Sequence, residues 1–161
     1  MRRSSWARRG TAVVASLAIT LLAGTATTAH ADSPNGRIIN HGTGRCLATD
    51  GGQQALAAVC DETDSYQQFW TVDRRDDGTV RIQTVMDGKC LSSYIEGGVS
   101  VDDCAEGTTA PVWVMRDGGK FANIGGDEWC LTVSGGDLVT AACDSGYNRY
   151  QDWVLPVDSR S

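Results

Sequence analysis

The sequence predicts an all-β fold, a barrel of about twelve short strands closed by threefold pseudosymmetry. Three observations support this prediction: a unit of two cysteines and a tryptophan that occurs three times, frequent glycine-rich turns, and no uninterrupted helical periodicity after residue 31. Because a unit of this size cannot bury its apolar face alone, the three units must pack around one shared core.

Each repeat begins with a Cys-Leu pair, continues to a second cysteine and ends at a tryptophan. The two cysteines are 14, 14 and 13 positions apart, and the tryptophan follows the second cysteine by 10, 9 and 10 positions. The repeats cover about residues 36–77, 78–118 and 119–155 of a domain that we place at 32–161. The repeated residues, in chain order, are Cys46, Cys60 and Trp70; Cys90, Cys104 and Trp113; and Cys130, Cys143 and Trp153.

Residues 1–31 have the three-part pattern of a secretory signal peptide and do not belong to the predicted barrel. Four arginines precede an apolar run over residues 12–23, and the segment ends in small residues with Ala31 last. The run is shorter than the ~20 residues that span a membrane, which argues against an anchor. We therefore expect secretion after cleavage before Asp32, and the pattern leaves open whether export is general or twin-arginine.

Removal of this leader makes the chain strongly acidic. Four of the 14 Lys and Arg residues are leader arginines, which leaves ten cations against 20 Asp and Glu and a formal charge of −10. Nucleic acids and anionic membrane surfaces favour clustered positive charge, so the composition argues against both as partners. No later stretch is apolar over a membrane-spanning length, and we expect a monomer with a single core.

Short runs of apolar and β-branched residues, separated by Gly- and Asp-rich turns, predict the strands. The first of these runs cover residues 37–40, 54–59, 69–72 and 80–85, and the second and third repeats continue the series. Glycine suits the turns between them because it adopts positive φ without steric cost. A closed barrel must pair its ends, so we expect residues 153–155 to lie beside residues 38–39.

Six cysteines in an exported chain of this length predict a disulfide framework. Spacing alone does not choose among the possible connectivities, but equivalent pairing within each repeat does. The predicted bridges are Cys46–Cys60, Cys90–Cys104 and Cys130–Cys143. The alternative is a zinc site, but the chain has no C-x-x-C pair and only His41 remains as a histidine after residue 31. We therefore expect neither a metal nor a cofactor.

Residues 68–91 resemble the repeat of a known family. The series Gln68-Phe69-Trp70, Asp77-Gly78-Thr79-Val80 and Gly88-Lys89-Cys90-Leu91 is similar to the repeat of the ricin B-chain lectins, and the resemblance covers about residues 36–155. It implies a β-trefoil whose leucines and tryptophans point inward as threefold-related layers. Those residues are Leu47, Leu91 and Leu131, with Trp70, Trp113 and Trp153.

The resemblance also gives the glutamine of the Gln-x-Trp motif a structural role. It implies that Gln68 and Gln151 are held against backbone groups. The second repeat has Pro111 at this position, and we expect a looser loop there because proline cannot donate an amide hydrogen bond.

Proteins of this family bind sugars in shallow pockets, up to one in each repeat. The resemblance places a sugar-binding Asp two positions after the first cysteine and an aromatic platform two positions before the second. At the first position this chain has Ala48, Ser92 and Thr132, and at the second it has Ala58, Asp102 and Ala141. The two main parts of a galactose-type pocket are therefore missing from all three repeats.

Other residues can rebuild a pocket, because carbohydrates bind to carboxylates, amides and aromatic faces. The candidates are Asp50 and Gln67 in the first repeat, and Trp129, Asp137, Asn148 and Tyr150 in the third. Only the third set combines an amide, a hydroxyl and aromatic faces. We expect the third repeat to bind most strongly and the first more weakly. The second, with acids at Asp102-Asp103, should not bind.

Each candidate also has a structural interpretation. Asp and Asn beside glycine commonly form turns, which is the alternative for Asp50 before Gly51-Gly52. The alternative for Trp129 is a rim residue that packs on the neighbouring repeat. Because its equivalents are the charged residues Arg45 and Lys89, we expect Trp129 to be at least half exposed.

Two other classes of function are alternatives to carbohydrate binding. A trefoil can bind proteins or inhibit proteases through its loops, and this is the alternative prediction. Catalysis is disfavoured because the sequence has no Gly-x-Ser-x-Gly motif and a nucleophile would have to recruit His41, so no catalytic residue is predicted. The sequence therefore predicts a secreted, non-catalytic, lectin-like protein whose partner is a glycan or glycoconjugate.

Overall fold

The computed structural model describes residues 35–63, 65–93, 97–104, 113–123 and 129–156. Within these ranges there are thirteen strands and two short 3₁₀ turns, at Tyr66–Gln68 and Asp117–Gly119. The strands are β1 (Asn35–Gly36), β2 (Ile39–Asn40), β3 (Cys46–Thr49), β4 (Ala55–Ala58), β5 (Trp70–Arg74), β6 (Thr79–Thr84), β7 (Cys90–Ser93), β8 (Val99–Asp102), β9 (Trp113–Arg116), β10 (Lys120–Asn123), β11 (Trp129–Ser134), β12 (Asp137–Ala142) and β13 (Trp153–Val154).

The all-β prediction is confirmed, with small differences at the strand ends. The predicted run at 37–40 is divided into β1 and β2, which leaves Arg37 and Ile38 between two short strands. The predicted leader and Pro111 lie outside the described residues. No helix of the described part is long and apolar enough to cross a membrane.

The described strands pair antiparallel in two sheets. One sheet has the order β1-β5-β6-β9-β10-β11-β12, with β7 joined to β6 and β8 joined to β7. The other has the order β13-β2-β3-β4. Each repeat contains one hairpin that carries its disulfide: β3–β4, β7–β8 and β11–β12. In each hairpin the first cysteine lies opposite the residue that is two positions before the second cysteine. These cross-strand pairs are Cys46 and Ala58, Cys90 and Asp102, and Cys130 and Ala141.

The three disulfides confirm the pairing within repeats. The bonded cysteines are Cys46–Cys60, Cys90–Cys104 and Cys130–Cys143, with Cα–Cα distances of 5.0, 5.0 and 4.9 Å. Each bridge closes a loop of similar length, for which chain-entropy arguments give a stabilisation of ~3 kcal/mol.

The core consists of the inward layers that the repeat predicts. The three tryptophans are at most 3% exposed and the three leucines are fully buried. Each indole Nε1 donates a hydrogen bond to the carbonyl of the leucine of its own repeat. The distances are 2.8 Å for Trp70–Leu47, 2.9 Å for Trp113–Leu91 and 3.1 Å for Trp153–Leu131. Because a buried indole N–H without a partner is costly, this bond allows each tryptophan to be buried completely.

The two ends of the domain pair as expected. Trp153 lies opposite Asn40 and Val154 opposite Ile39, so that β13 joins β2. Ile38 belongs to the core and Leu155 packs against it. The closure that the sequence predicted is therefore confirmed, with the register displaced by one residue toward Asn40.

The turn between β9 and β10 lies directly against this closure. Gly118 and Gly119 both have a φ of +79°, a conformation that residues with a side chain rarely adopt. A Cβ atom on Gly119 would lie 2.2 Å from the carbonyl oxygen of Trp153. This position therefore requires glycine for two reasons, its backbone conformation and the close approach of β13.

Alanine substitutions at Gly119 and at Gly135 distinguish the cost of the backbone conformation from the cost of the close approach. Gly135, in the β11–β12 turn, also has positive φ, but a Cβ there meets no atom within 4 Å. We expect Gly135→Ala to cost ~1 kcal/mol from the backbone conformation alone. Gly119→Ala should cost a further ~1–3 kcal/mol because Trp153 must move. Urea unfolding of both variants measures the difference, and equal losses would contradict the close approach.

Candidate functional site

The glutamines of the Gln-x-Trp motifs hold the loops in front of their tryptophans. Gln68 Oε1 accepts a hydrogen bond from Asp61 N, and its Nε2 donates to Val59 O, both at 2.8 Å. Gln151 makes the equivalent bonds, from Asp144 N at 2.9 Å and to Ala142 O at 2.8 Å. The predicted role is confirmed. These bonds fix the positions of the preceding residues, Gln67 and Tyr150, which are candidate ligand contacts.

The residues two positions after each first cysteine lie in the interior. Ala48, Ser92 and Thr132 are 3%, 8% and 8% exposed. The Thr132 hydroxyl donates to the carbonyl of Cys130 at 2.7 Å and accepts a bond from Gln151 Nε2 at 3.3 Å. This hydroxyl therefore stabilises the repeat itself, and ligand contacts must come from the loops above it.

In the first repeat the structure places Gln67 beside the β3–β4 turn that contains Asp50. Asp50 Oδ1 accepts hydrogen bonds from Gly52 N at 2.7 Å and Gln54 N at 3.2 Å, so Asp50 forms the turn that was its alternative role. A Cβ atom on Gly51 would lie 3.4 Å from Gln67 Nε2. The amide of Gln67 therefore lies against this turn and is exposed to solvent.

In the third repeat Asn148 and Tyr150 are connected directly. Asn148 Oδ1 accepts a bond from Tyr150 N at 3.0 Å, and Asn148 Nδ2 donates to Asp144 Oδ2. Arg149 Nη2 donates to the Tyr150 hydroxyl at 2.7 Å, and its guanidinium lies 4.8 Å from the centre of the Tyr150 ring. One face of Tyr150 is therefore covered, while 39% of the residue remains exposed.

Trp129 lies apart from this pair. It begins β11 opposite Ala142, whereas the carbonyl of Tyr150 accepts a bond from Val133 N near the other end of the strand. Four residues of strand separate the two positions by ~13 Å. Asp137 follows the turn at the Tyr150 end of β11. Trp129 is 38% exposed, less than the half that was expected.

The second repeat has carboxylates in place of a stacking platform. Asp102 lies opposite Cys90 and accepts a hydrogen bond from the Ser100 hydroxyl at 2.5 Å. Asp103 follows it and is exposed. A sugar ring at this position would meet polar, hydrated carboxyl groups instead of an apolar face.

Several turn carboxylates are held in the ionised form. Hydrogen bonds from the hydroxyl and then the amide of Thr63 lower the pKa of Asp61 below its ordinary value. The hydroxyl and amide of Thr79 do the same for the pKa of Asp77. A lowered pKa makes a carboxyl a poor proton donor at neutral pH, so these residues are unsuited to general-acid chemistry. No group of three or more His, Cys, Asp or Glu residues in the described part is arranged to hold a metal ion.

The third repeat also contains a buried ion pair that was not predicted from the sequence. Lys120 Nζ lies 2.6 Å from Asp152 Oδ1, and the two side chains are 6% and 5% exposed. Asp152 is the middle residue of the third Gln-x-Trp motif, where the first repeat has Phe69. The sequence signal for this ion pair was the carboxylate of Asp152 at an inward-facing motif position, because a buried carboxylate needs a cationic partner.

This ion pair lies at the base of a cleft with a volume of about 820 Å³. The cleft separates the β9–β10 hairpin from the loop between β12 and β13. Its described lining residues are Val114, Arg116, Asp117, Gly118, Lys120, Asp144, Ser145, Gly146, Tyr147 and Asp152. At the rim, the Tyr147 hydroxyl forms a 3.0 Å hydrogen bond with Nδ1 of His41.

The chain matches the ricin-type beta-trefoil lectin domain over residues 34–159. No curated protein sequence matches it significantly. The fold is nevertheless shared with many solved structures at low identity, and the TM-scores of the three described next are 0.58–0.63.

One similar structure is the GlcNAcα1-4Gal-releasing endo-β-galactosidase from Clostridium perfringens. It has 20% identity and a TM-score of 0.63, and the match covers 78% of this chain and 33% of the enzyme. A second is a non-toxic homologue of type II RIPs from Momordica charantia (bitter gourd), in complex with α-methyl-D-galactoside, with 18% identity and a TM-score of 0.61. That match covers 78% of this chain and 49% of the other.

A third similar structure is ThreeFoil, a designed threefold symmetric protein, with 15% identity and a TM-score of 0.58. The match covers 74% of this chain and 95% of the designed one. The present chain therefore spans nearly all of a single designed trefoil, but only a third to a half of the two natural proteins.

Removal of the Lys120 charge should be strongly destabilising. Lys120→Met leaves Asp152 buried without a cation, which should cost about 3–5 kcal/mol of unfolding free energy. The matched control is Lys89→Met, because Lys89 pairs with Asp87 at 3.6 Å with both side chains about 30% exposed. Such an exposed pair contributes less than about 1 kcal/mol.

Chemical denaturation of both variants measures this contrast. Addition of Asp152→Leu to Lys120→Met should recover most of the loss, because the unpaired charge is then gone. Equal destabilisation by the two lysine variants would show that the buried pair contributes no more than the exposed one.

Proposed function

Since this chain belongs to the ricin-type beta-trefoil lectin domain family, whose domains bind carbohydrate, we propose that it is a secreted, non-catalytic protein that binds a glycan or glycoconjugate. The observation that carries this proposal is the family match over residues 34–159, together with the repetition of the Trp–Leu hydrogen bond in all three repeats.

Galactose-containing glycans are the first ligands to consider. The bitter gourd protein binds α-methyl-D-galactoside in its structure, and the clostridial enzyme is a galactosidase. Because the family's main Asp and aromatic positions hold Ala, Ser, Thr or Asp here, the ligand must be held by other residues. Galactose-containing glycans are therefore the first compounds to screen, whereas the residues that would contact the ligand are specific to this chain.

We place the stronger of the repeat sites in the third repeat. The Gln151 bonds hold the loop that carries Asn148 and Tyr150, and Asp137 lies at the same end of β11. This set offers an amide, a hydroxyl, a carboxylate and an aromatic ring to a sugar. The first repeat offers Asp50 and Gln67 without an aromatic platform, so we propose that it binds more weakly.

Three turn carboxyl groups are unsuited to act as the general acid of a glycosidase. The pKa values of Asp61 and Asp77 are lowered by neighbouring threonines, and that of Asp87 is lowered chiefly by the Thr84 hydroxyl. Glycoside hydrolysis requires one carboxyl group that remains protonated near neutral pH. The lowered pKa values of these three carboxyl groups favour the deprotonated form instead.

Tyr150→Ala should weaken sugar binding by ~1–2 kcal/mol, because it removes the aromatic contact. Trp129→Ala is the matched control, since Trp129 is equally exposed but lies ~13 Å along β11 and should change binding less. A glycan array identifies the ligand, and calorimetry measures both variants. The proposal for the third repeat would be wrong if Tyr150→Ala bound like wild type while Asp50→Ala or Gln67→Ala abolished binding. A protease panel run beside the array tests the alternative of a protein partner.

Secretion makes a separate prediction about the N-terminus. Expressed with its leader in a bacterial host that exports proteins, the chain should be recovered outside the cytoplasm starting at Asp32, with all six thiols oxidised. Intact mass and N-terminal sequencing measure both. Retention of residues 1–31 in the cell fraction, with free thiols, would contradict secretion.

A further inference from the structure

We propose that the cleft between the β9–β10 hairpin and the loop before β13 is a second carbohydrate-binding site that takes one neutral pyranose unit. This inference rests on the proposed carbohydrate-binding function, but it concerns residues outside the repeat pockets. Thr132, Ala141 and Tyr150, which occupy the family's pocket positions, are not among the residues that line this cleft.

The floor of the cleft is an ordered ion pair. Lys120 Nζ and Asp152 Oδ1 lie 2.6 Å apart, both side chains are almost inaccessible, and Oδ1 has essentially no exposed surface. The pair therefore fixes the shape and polarity of the floor. The polar groups that a ligand can reach belong to the exposed lining residues Arg116, Asp117, Asp144 and Tyr147.

The walls favour a ligand that is both donor and acceptor. Arg116 and Lys120 contribute positive charge, while Asp117, Asp144 and Asp152 contribute negative charge. An anionic ligand would meet three carboxylates and a cationic ligand would meet two cations. A sugar hydroxyl donates to carboxylates and accepts from ammonium or guanidinium groups, so a neutral polyhydroxyl ligand satisfies both signs. A volume of about 820 Å³ is large enough to hold a sugar unit.

Tyr147 supplies the aromatic face at the rim. It is 71% exposed, yet its position is fixed by the hydrogen bond to His41 Nδ1 and by a T-shaped contact of the two rings at 5.7 Å. An exposed ring that is already ordered loses little conformational entropy when a ligand stacks on it. Tyr147 is therefore suited to contact the C–H surface of a pyranose whose hydroxyls reach the exposed polar groups of the lining.

The test is NMR titration of the exported, ¹⁵N-labelled protein with three probes, the methyl α-D-pyranosides of galactose, glucose and mannose. We expect at least one glycoside to cause saturable shifts of the amides of Gly118, Lys120 and Tyr147. Tyr147→Ala should weaken this binding about tenfold, the loss expected for a stacking contact. Ser145→Trp should abolish it, because the new side chain would fill the cleft.

Tyr66→Ala is the matched control, since Tyr66 is 68% exposed in the 3₁₀ turn of the first repeat and does not line the cleft. It should leave the cleft affinity unchanged. A dispersed spectrum of each variant establishes that it is folded.

Three results would overturn the inference. Shifts confined to Asp50, Gln67, Asp137 and Tyr150 would refute the cleft while supporting the proposed function. Binding in the cleft that neither Tyr147→Ala nor Ser145→Trp weakens would refute the site as described. No shift at any amide with all three glycosides would contradict both the cleft and the proposed function.

Discussion

The hydrogen bond from each tryptophan indole to the leucine carbonyl of its own repeat is the interaction on which the remaining structure depends. It occurs at 2.8, 2.9 and 3.1 Å in the three repeats. Without it, the largest apolar side chain of each repeat would carry an unsatisfied donor into the core. With it, the repeats contribute equivalent layers, and their hairpins can pack around a common centre.

The core fixes the positions of the loops that can contact a ligand. Gln68 and Gln151 connect the loop after the second cysteine to the strand before it, so the residues preceding them are held close to the barrel. The disulfide of each repeat closes the same segment. A trefoil can therefore change its exposed side chains, as this chain has done at the family's Asp and aromatic positions, without losing the frame that presents them.

The threefold pattern is broken where the chain closes. Gly118 and Gly119 allow the β9–β10 turn to approach Trp153 and to cover the ion pair of Lys120 with Asp152. Among the described residues of the first repeat there is no equivalent pair; Phe69 occupies the motif position, and the Arg37 guanidinium lies 5.1 Å from the centre of its ring. The polar cleft beside this closure is a consequence of that asymmetry, because the buried charges require polar surroundings.

The sequence by itself determined the all-β class, the three disulfides, the buried Leu and Trp layers, the glutamine bonds and the closure of β13 on β2. The disulfide pairing follows from the repeat, because equivalent residues in equivalent units must have equivalent environments. The all-β class and the closure follow from the pattern of strands and turns. The buried layers and the glutamine bonds follow from the resemblance to the ricin B-chain repeat. The tertiary structure alone decided what depends on contacts between strands and on the geometry of individual loops. It placed Trp129 far from Tyr150, gave the Asp50 carboxylate to a turn, and paired Lys120 with Asp152. Such contacts join residues from different strands or repeats, or depend on the geometry of a single loop, and neither the spacing within a repeat nor the residue types specify them.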